Sequence, residues 1–373
     1  MRYSENIKIL KHLKDGTATA KMLERYSGWG GLRGAIYTPE IYKQLKQVLT
    51  TAEINSIKNT LTSAYYTPRE IVTFIYKVLA KMGYSGGRVL EPAAGNGVFL
   101  KDLHLLKPQE VVAVELDSVS CKILERLYPN VKVINSAFED TSLGKFDLIV
   151  GNPPYSKDCV VDSAAPDLNH LAIHHYFVAK CMRMLNNNGL LAMVLPSYFL
   201  DNLKDHARDI IAKDGGSLIA AFRLPDDLFA DATVTIDIVF MVKGSTEVKW
   251  QKTEHIPVGE KTAAINEYFV SHADYILGEL DMVVMYNRLG LTCKHTGNVF
   301  KTLPALLDSI KFNFSRSHAP IQEGNVHKLD ASIAEIKRQI DALQNKLRNL
   351  VHAKERISKL QMQIDEELAK AVS

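Results

Sequence analysis

The sequence predicts an α/β fold, in which an open, largely parallel sheet carries helices on both faces. From about residue 64 to residue 250, short apolar runs of strand length alternate with segments of helical periodicity. Glycine- or proline-rich turns follow several of these runs, as at the ligand-binding edge of such sheets. The flanking patterns are helical, so we expect an N-terminal helical region and a long C-terminal helix or coiled coil.

The N-terminal region, residues 1–60, is predicted to be helical. The stretches ENIKILKHLKDG and TPEIYKQLKQVLT place apolar residues three and four positions apart. Between them, RYSGWGGLRG runs from Arg25 to Gly34 and is rich in glycine and aromatic residues. Two interpretations of this loop stay open: a binding loop, or a turn in which Trp29 fills an apolar gap.

Seven strands are predicted in the central region, residues 61–250. In chain order they are GRVLEPAAGNG, EVVAVELD, VKVINSAF, FDLIVGNPPY, GLLAMVLPSYFL, SLIAAFRLP and TIDIVFMVKG. The helix HLAIHHYFVAKCMRML precedes the fifth strand. A loop rather than a clear helix separates the last two strands, so we expect an antiparallel hairpin at the sheet edge.

The C-terminal region, residues 321–373, carries a heptad pattern that follows a connecting region at 251–320. Its apolar residues recur mostly at steps of four and three: Leu329, Ile333, Ile336, Ile340, Leu343, Leu347, Leu350, Ile357, Ile364 and Leu368. Lys354 and Gln361 interrupt this seam. We expect a helix that pairs with a second copy of the chain or with a partner subunit. A helix lying on the protein's own body is the alternative.

The composition argues against several kinds of site. The 373 residues carry a formal net charge of +3, which permits a nucleic-acid partner without arguing for one. The four cysteines form no CxxC pair, so neither a zinc site nor a disulfide framework is predicted, and we expect no metal. The polar N-terminus and the lack of a long apolar run predict a cytoplasmic protein without a membrane segment.

A ligand site is predicted at the ends of the first three strands. The first strand runs into a loop whose small residues let a ligand approach the backbone; its candidate residues are Glu91, Pro92, Ala93, Gly95 and Gly97. Glu115 ends the second strand, where a carboxylate commonly holds ribose hydroxyls, and Phe138 after the third would pack on adenine. The loop lacks the G-x-G-x-x-G spacing that cradles a pyrophosphate, so a nucleoside without phosphates is expected, with S-adenosyl-L-methionine the obvious candidate.

The fourth strand ends in Asn-Pro-Pro-Tyr, where neither proline can donate to a ladder. This rigid corner suits methyl transfer to an exocyclic amine, whose lone pair is delocalised into its ring. The Asn152 side-chain carbonyl and the Pro153 backbone carbonyl would accept its hydrogens and stabilise the developing charge. Pro153 and Pro154 fix the corner, so little reorganisation is needed. Tyr155 would stack on a flipped base.

In this order, EPAAGNG, ELD and GNPPY resemble the motifs of the amino-methyltransferases of DNA, in the subclass with cofactor motifs first. AYYTP, residues 64–68, is similar to the leading motif of that subclass. The resemblance is closer still to the methylase half of the large helicase–methylase proteins of phages and mobile elements. It spans residues 25 to about 280 and includes RYSGWGGL, LEPAAGNGVF, AIHHYF, AFRLPDDLFADATVTIDIVF and INEYFVSHADYILGEL.

The resemblance implies a Rossmann-like methyltransferase fold that transfers a methyl group from S-adenosyl-L-methionine to adenine N6 in DNA. It implies that Tyr66, Thr67 and Pro68 contact the methionine part of the cofactor, and that Phe229 stacks on the target base. Asn152 belongs to the expected cofactor contacts as well. No helicase motifs and no clear target-recognition domain are found, so DNA contacts from an assembly are expected.

Two other functions stay open. A protein glutamine N5-methyltransferase would use the same corner on a side-chain amide, although the GWG and RLP motifs favour the DNA family. A non-catalytic anti-restriction or assembly protein of a phage or mobile element would carry a vestigial fold, against which the intact Asn152 and Tyr155 argue. His174 and His175 are adjacent on the predicted helix and are expected to be structural rather than a metal pair.

Overall fold

The computed structural model describes residues 2–61, 65–203, 206–229, 233–244, 246, 248–285, 288–310, 338–339 and 354. The chain divides into two units, Met1–Arg316 and Ser317–Ser373. The heptad pattern from Leu329 to Leu368 lies, apart from three isolated positions, outside the described residues. The coiled coil therefore stays a prediction.

The described residues form helices at both ends of a strand-rich centre. The helices are α1 Arg2–Lys14, α2 Ala20–Leu23, α3 Arg33–Ile36, α4 Pro39–Val48, α5 Thr51–Thr60, α6 Arg69–Lys81, α7 Val98–Lys101, α8 Ser118–Leu127, α9 Ile173–Met184, α10 Tyr198–Asp201, α11 His206–Lys213, α12 Glu267–Ser271 and α13 Val299–Ser309. The strands are β1 Arg88–Glu91, β2 Glu110–Glu115, β3 Lys132–Asn135, β4 Phe146–Gly151, β5 Leu185–Pro196, β6 Gly216–Leu224, β7 Ile236–Lys243, β8 Thr253–Val258, β9 Lys261–Asn266, β10 Glu279–Met285 and β11 Arg288–Lys294.

Seven strands form one sheet in the order β3-β2-β1-β4-β5-β7-β6. The first five are parallel, and β7 runs antiparallel between β5 and β6. The predicted antiparallel hairpin is confirmed, with β6 at the sheet edge. This topology confirms the predicted Rossmann-like methyltransferase fold. Because β1, β4 and β5 lie in the middle of the sheet, their apolar residues are buried almost completely.

The sheet positions the loops that follow its strands. At the end of β2, the Asp117 carboxylate accepts hydrogen bonds from Val119 N and Ser120 N, which caps α8 immediately after the strand. At the end of β1, Gly97 precedes the first turn of α7. Short strand-to-helix connections of this kind keep the loops at one edge of the sheet.

The predicted N-terminal helical region is confirmed by α1 to α5, which surround a second apolar cluster. Trp29 is 2% exposed and lies in this cluster with Ile9, Leu45 and Ile54, and α8 contributes Ile123. Trp29 therefore fills an apolar gap, as one of the two interpretations of its loop holds.

Residues after 250 contain more structure than the connecting region that the sequence indicates. Two antiparallel hairpins, β8–β9 and β10–β11, lie outside the main sheet. The second hairpin contacts the segment after β6: Thr292 Oγ1 donates to Asp226 Oδ2 at 2.6 Å, and Cys293 N donates to Thr235 Oγ1 at 3.0 Å. Within the described ranges, no helix has both the length and the apolar character needed to cross a membrane.

Candidate active site

A pocket of about 490 Å³ opens at the carboxyl ends of β1 to β4. Most of the predicted site residues line it: Tyr66, Thr67, Glu91, Pro92, Ala93, Gly95, Glu115, Phe138, Asn152, Pro154 and Tyr155. Four others, Pro68, Gly97, Pro153 and Phe229, do not contribute to its lining. The loops after four strands therefore converge on one cavity, because the carboxyl ends of parallel strands share one edge.

Glu91 presents a buried acceptor at the end of β1. The residue is 1% exposed, and its Oε2 atom has no hydrogen-bond partner. Burial, and then the nearby Glu115 carboxyl, raise the pKa of Glu91 well above its ordinary value. A buried oxygen without a partner costs free energy unless a ligand donor satisfies it.

Glu115 holds the loop after β1 against the end of β2. Its Oε2 accepts from Gly95 N at 2.6 Å, and its Oε1 accepts from Asp117 N at 2.7 Å. Burial raises the pKa of Glu115 to about 7, although the two backbone N–H groups favour the carboxylate. The carboxyl group therefore titrates near neutral pH, at the edge of the pocket.

The segment before α6 closes another side of the pocket. Tyr66 packs on Gly95, since a Cβ atom placed on that glycine would lie 3.2 Å from the tyrosine ring. Thr67 is 4% exposed, and its hydroxyl has no hydrogen-bond partner. Pro68 precedes the first residue of α6 and lies outside the lining.

The far end of the pocket is aromatic. Phe138 lies 4.8 Å from Phe177, measured between ring centroids, at 35° between ring planes. Lys180 Nζ donates to Phe138 O at 2.8 Å and pairs with Asp162 Oδ2 at 2.9 Å. The sequence analysis missed Phe177 and Lys180, although the AIHHYF motif and the residues that follow it contain both. One buried lysine thus joins the turn after β3 to the loop that follows the Asn-Pro-Pro-Tyr corner.

At the Asn-Pro-Pro-Tyr corner, a hydrogen bond fixes the orientation of the Asn152 side-chain amide. Asn152 Nδ2 donates to Tyr65 O at 2.8 Å, whereas Asn152 Oδ1 is buried and has no hydrogen-bond partner. Tyr155 Oη donates to Val194 O at 2.9 Å, which fixes its ring beside the pocket. Tyr65 lies 5.9 Å from the Tyr155 ring and 6.3 Å from the Phe229 ring. Tyr65, which the sequence analysis did not single out, therefore connects the two predicted stacking residues.

The adjacent histidines lie near this corner. Their rings are 4.2 Å apart, so they touch each other rather than diverging. Burial lowers the pKa of His175 to about 4, which keeps it neutral at physiological pH. Across the described part of the chain, no group of three or more His, Cys, Asp or Glu residues is arranged to hold a metal ion.

Comparison with known proteins agrees with this arrangement. Residues 99–222 match the family model described as Eco57I restriction-modification methylase. The chain carries a methylase domain of the Eco57I type. This confirms the resemblance to methylases that the ordered motifs indicate.

This chain is similar to curated proteins of viruses and bacteria. It is 26% identical over 265 residues to the "Defense against restriction protein B" of Escherichia phage P1, over 68% of this chain and 10% of the phage protein. It is 28% identical over 192 residues to the type II methyltransferase M.CvrRI of Paramecium bursaria Chlorella virus XZ-6E, over 49% of this chain and 48% of that protein. It is 32% identical over 149 residues to the type II methyltransferase M.HincII of Haemophilus influenzae, over 36% of this chain and 28% of that protein. The chain thus matches less than half the length of each of these relatives.

The cofactor of this methylase domain is S-adenosyl-L-methionine, as predicted. The residues of the pocket fit it on three observations. Glu91 has a buried oxygen without a partner, the Glu115 carboxyl lies at the edge of the pocket, and Phe138 lies at an apolar aromatic end. A ligand with a cationic end, a ribose and a flat base matches that sequence of surfaces.

Proposed function

We propose that this chain methylates the N6 amino group of adenine in DNA, on a base flipped into the pocket. The observation that supports the proposal best is the Asn152 amide. Its nitrogen is held by Tyr65 O, so its oxygen is left as a buried acceptor at the pocket wall. An exocyclic amine supplies the donors that this oxygen lacks.

The corner suits a weak nitrogen nucleophile. The lone pair of adenine N6 is delocalised, and acceptors aimed at its hydrogens favour the pyramidal nitrogen that attacks. Asn152 Oδ1 is the first acceptor in this proposal, and the Pro153 carbonyl, which precedes the pocket-lining Pro154, is the second. The two successive prolines restrict the backbone of the corner, and the bond to Tyr65 O holds the Asn152 amide, so both acceptors are in place before the reaction.

Tyr155 and Phe229 are the proposed stacking residues for the target base. Tyr155 is anchored through its hydroxyl, and Phe229 is 5% exposed, so both rings are held in fixed positions. Tyr65 lies 5.9 Å from the Tyr155 ring and 6.3 Å from the Phe229 ring, so it connects the two, with Phe229 outside the pocket lining. Base–aromatic stacking stabilises a flipped base without reading its edges.

The proposed cofactor contacts follow from the same surfaces. S-adenosyl-L-methionine supplies an electrophilic methyl group when bound. Glu91 would accept hydrogen bonds from its ammonium group, Glu115 from its ribose hydroxyls, and Phe138 would pack on its adenine. Tyr66, Thr67 and Pro68 would line the methionine end.

Glu115 gives this binding a predicted pH dependence. The free site has a pKa of about 7 at Glu115, and ribose hydroxyl donors would favour the carboxylate and lower that pKa. Binding should therefore release up to about half a proton at pH 7 and nearly one below pH 6, and affinity should rise by at most about tenfold from pH 6 to pH 8. Calorimetry in buffers of different ionisation enthalpy measures the proton count. Glu115→Gln should remove the part of the release that falls near pH 7, and a release unchanged in this variant would assign the proton elsewhere, with Glu91 the next candidate.

The reaction is tested by offering the full chain labelled S-adenosyl-L-methionine with DNA, RNA or a protein extract. The proposal expects label in DNA and its recovery as N6-methyladenine after digestion to nucleosides. Recovery as N4-methylcytosine would correct the base, and N5-methylglutamine in protein would establish the alternative enzyme. A chain that binds the cofactor yet labels none of the three would favour the non-catalytic anti-restriction or assembly function.

We also propose that the C-terminal residues provide DNA contacts through a second copy or a partner subunit. The support is the heptad pattern from Leu329 to Leu368 in the sequence, together with its basic residues Lys337, Arg338, Lys346 and Arg348. Truncation after residue 320 should reduce the number of chains in each particle, measured as mass in solution relative to one chain, and should weaken DNA binding. Light scattering and DNA titration measure the two effects. A truncated protein that keeps both the oligomeric state and the DNA affinity of the full chain would contradict this assignment.

A further inference from the structure

The Ser27–Gly31 loop, with the sequence SGWGG, lies between the N-terminal helices and the cofactor pocket. Trp29 belongs to the helical core, but Gly28 contacts Tyr66, which lines the pocket. A Cβ atom on Gly28 would lie 1.9 Å from the Tyr66 hydroxyl oxygen and 2.2 Å from Cζ. Burial raises the pKa of this tyrosine, and the nearby Gly30 backbone partly offsets the rise. The loop therefore has a second role besides filling the helical core.

Helix α1 fixes this loop from the opposite side. Asn6 is fully buried; its Nδ2 donates to Gly28 O at 2.6 Å, and its Oδ1 accepts from Ser27 N at 3.1 Å. Arg2 donates to Gly30 O at 3.1 Å. Both ends of the Asn6 amide are used on the loop, so its backbone cannot shift without breaking buried hydrogen bonds.

The other face of Tyr66 lies against the cofactor loop. The ring packs on Gly95, and Glu115 holds Gly95 through its backbone N–H. Tyr66 is thus enclosed between two glycines, one from the N-terminal region and one from the loop after β1. A continuous set of contacts runs from α1 through Gly28 and Tyr66 to the wall of the pocket.

We propose that Gly28 is a positioning residue of the cofactor site, and that it holds Tyr66 against the loop after β1. The N-terminal helical region would then be a working part of cofactor binding rather than a separate support. This inference rests on the cofactor site alone and does not depend on which molecule accepts the methyl group.

The test is Gly28→Ala in the full chain, with Gly16→Ala as the matched control. Both glycines have left-handed backbone angles, φ +65° at Gly28 and +71° at Gly16, so alanine is strained to a similar degree at each. Only Gly28 has a neighbour, since nothing lies within 4 Å of a Cβ atom on Gly16. Calorimetric titration with S-adenosyl-L-methionine should show at least tenfold weaker binding for Gly28→Ala and less than a twofold change for Gly16→Ala. Equal affinities in the two variants would overturn the proposal.

A second comparison shows whether the effect passes through Tyr66. Tyr66→Ala removes the atoms that the new methyl group would meet, so adding Gly28→Ala to it should change affinity by less than twofold. If the two losses multiply instead, Gly28 acts independently of Tyr66 and the proposal is wrong.

Should Gly28→Ala fail to fold, Tyr66→Phe decides the matter. It keeps the ring on Gly95 and removes the hydroxyl that lies against Gly28. If that hydroxyl anchors the ring to the loop, its removal should weaken binding by about two- to tenfold, the net worth of one hydrogen bond. Unchanged affinity in a folded Tyr66→Phe protein would show that the loop does not position the ring.

Discussion

Replacing Asn152 with alanine is expected to reduce turnover by about 10²–10³-fold, the usual cost of removing one preorganised group that stabilises developing charge. Affinity for S-adenosyl-L-methionine should stay within about twofold, because the hydrogen bond that is lost acts mainly in the transition state. Single-turnover methylation of DNA and calorimetry of the cofactor measure the two quantities separately.

The matched control is Asn186→Ala. Asn186 lies at the amino end of β5, away from the carboxyl ends that line the pocket. Its Nδ2 donates to Asp147 Oδ1 at 3.2 Å. The same truncation there removes a hydrogen bond without approaching the pocket, so turnover should be unchanged. If Asn152→Ala loses cofactor affinity and turnover in equal proportion, Asn152 is a cofactor contact rather than the acceptor for the target amine.

The ligand-binding edge of the sheet could be predicted from the sequence. Glu91 and Glu115 end β1 and β2, and Asn152 follows β4; parallel strands bring their carboxyl ends together whatever their order in the chain. The motif spacing therefore sufficed to place these side chains around one cavity.

Contacts made by helix docking could not be predicted in this way. The contact between Gly28 and Tyr66 depends on how the N-terminal helices sit on the sheet, and no local pattern encodes that placement. Phe177 and Lys180 lie on α9 at spacings that an ordinary buried helix face would also show. Their role near Phe138 follows only from the packing of α9 beneath the turn after β3.

The position of Phe229 shows the same limit. The sequence places it after β6, but the segment that carries it is tied to β11, more than fifty residues further along the chain. Phe229 lies 6.3 Å from Tyr65 and outside the pocket lining. The stacking role proposed for Phe229 therefore depends on a tertiary contact that no strand pattern predicts.

Arg223, near the end of β6, is a buried charged residue whose ion pairs link this strand to its neighbours. It is 0% exposed and pairs with Asp237 through Nε at 2.9 Å and with Asp201 at 2.8 Å. The guanidinium also lies 4.3 Å from the centre of the Phe269 ring. Burial raises the pKa of Asp237 to about 6 even with the arginine beside it. The arginine thus holds together β6, β7 and α10, immediately before the segment that leads to Phe229.

Arg223→Met should lower the free energy of unfolding by about 3–5 kcal/mol, because it leaves the buried Asp237 carboxylate without its ion-pair partner. The loss should shrink as pH falls from 8 towards 5.5. Without the arginine, the folded-state pKa of Asp237 rises further above its unfolded value, so the variant regains stability as that group takes up a proton.

Arg183→Met is the control. Arg183 also pairs with two aspartates, Asp167 and Asp214, but is partly exposed, and its loss should cost about 1 kcal/mol or less. Urea unfolding at pH 8 and pH 5.5 measures the free energy of unfolding of both variants. Equal losses of stability for the two arginines, or a loss at Arg223 that grows at low pH, would show that the buried network does not stabilise the β6 edge of the sheet.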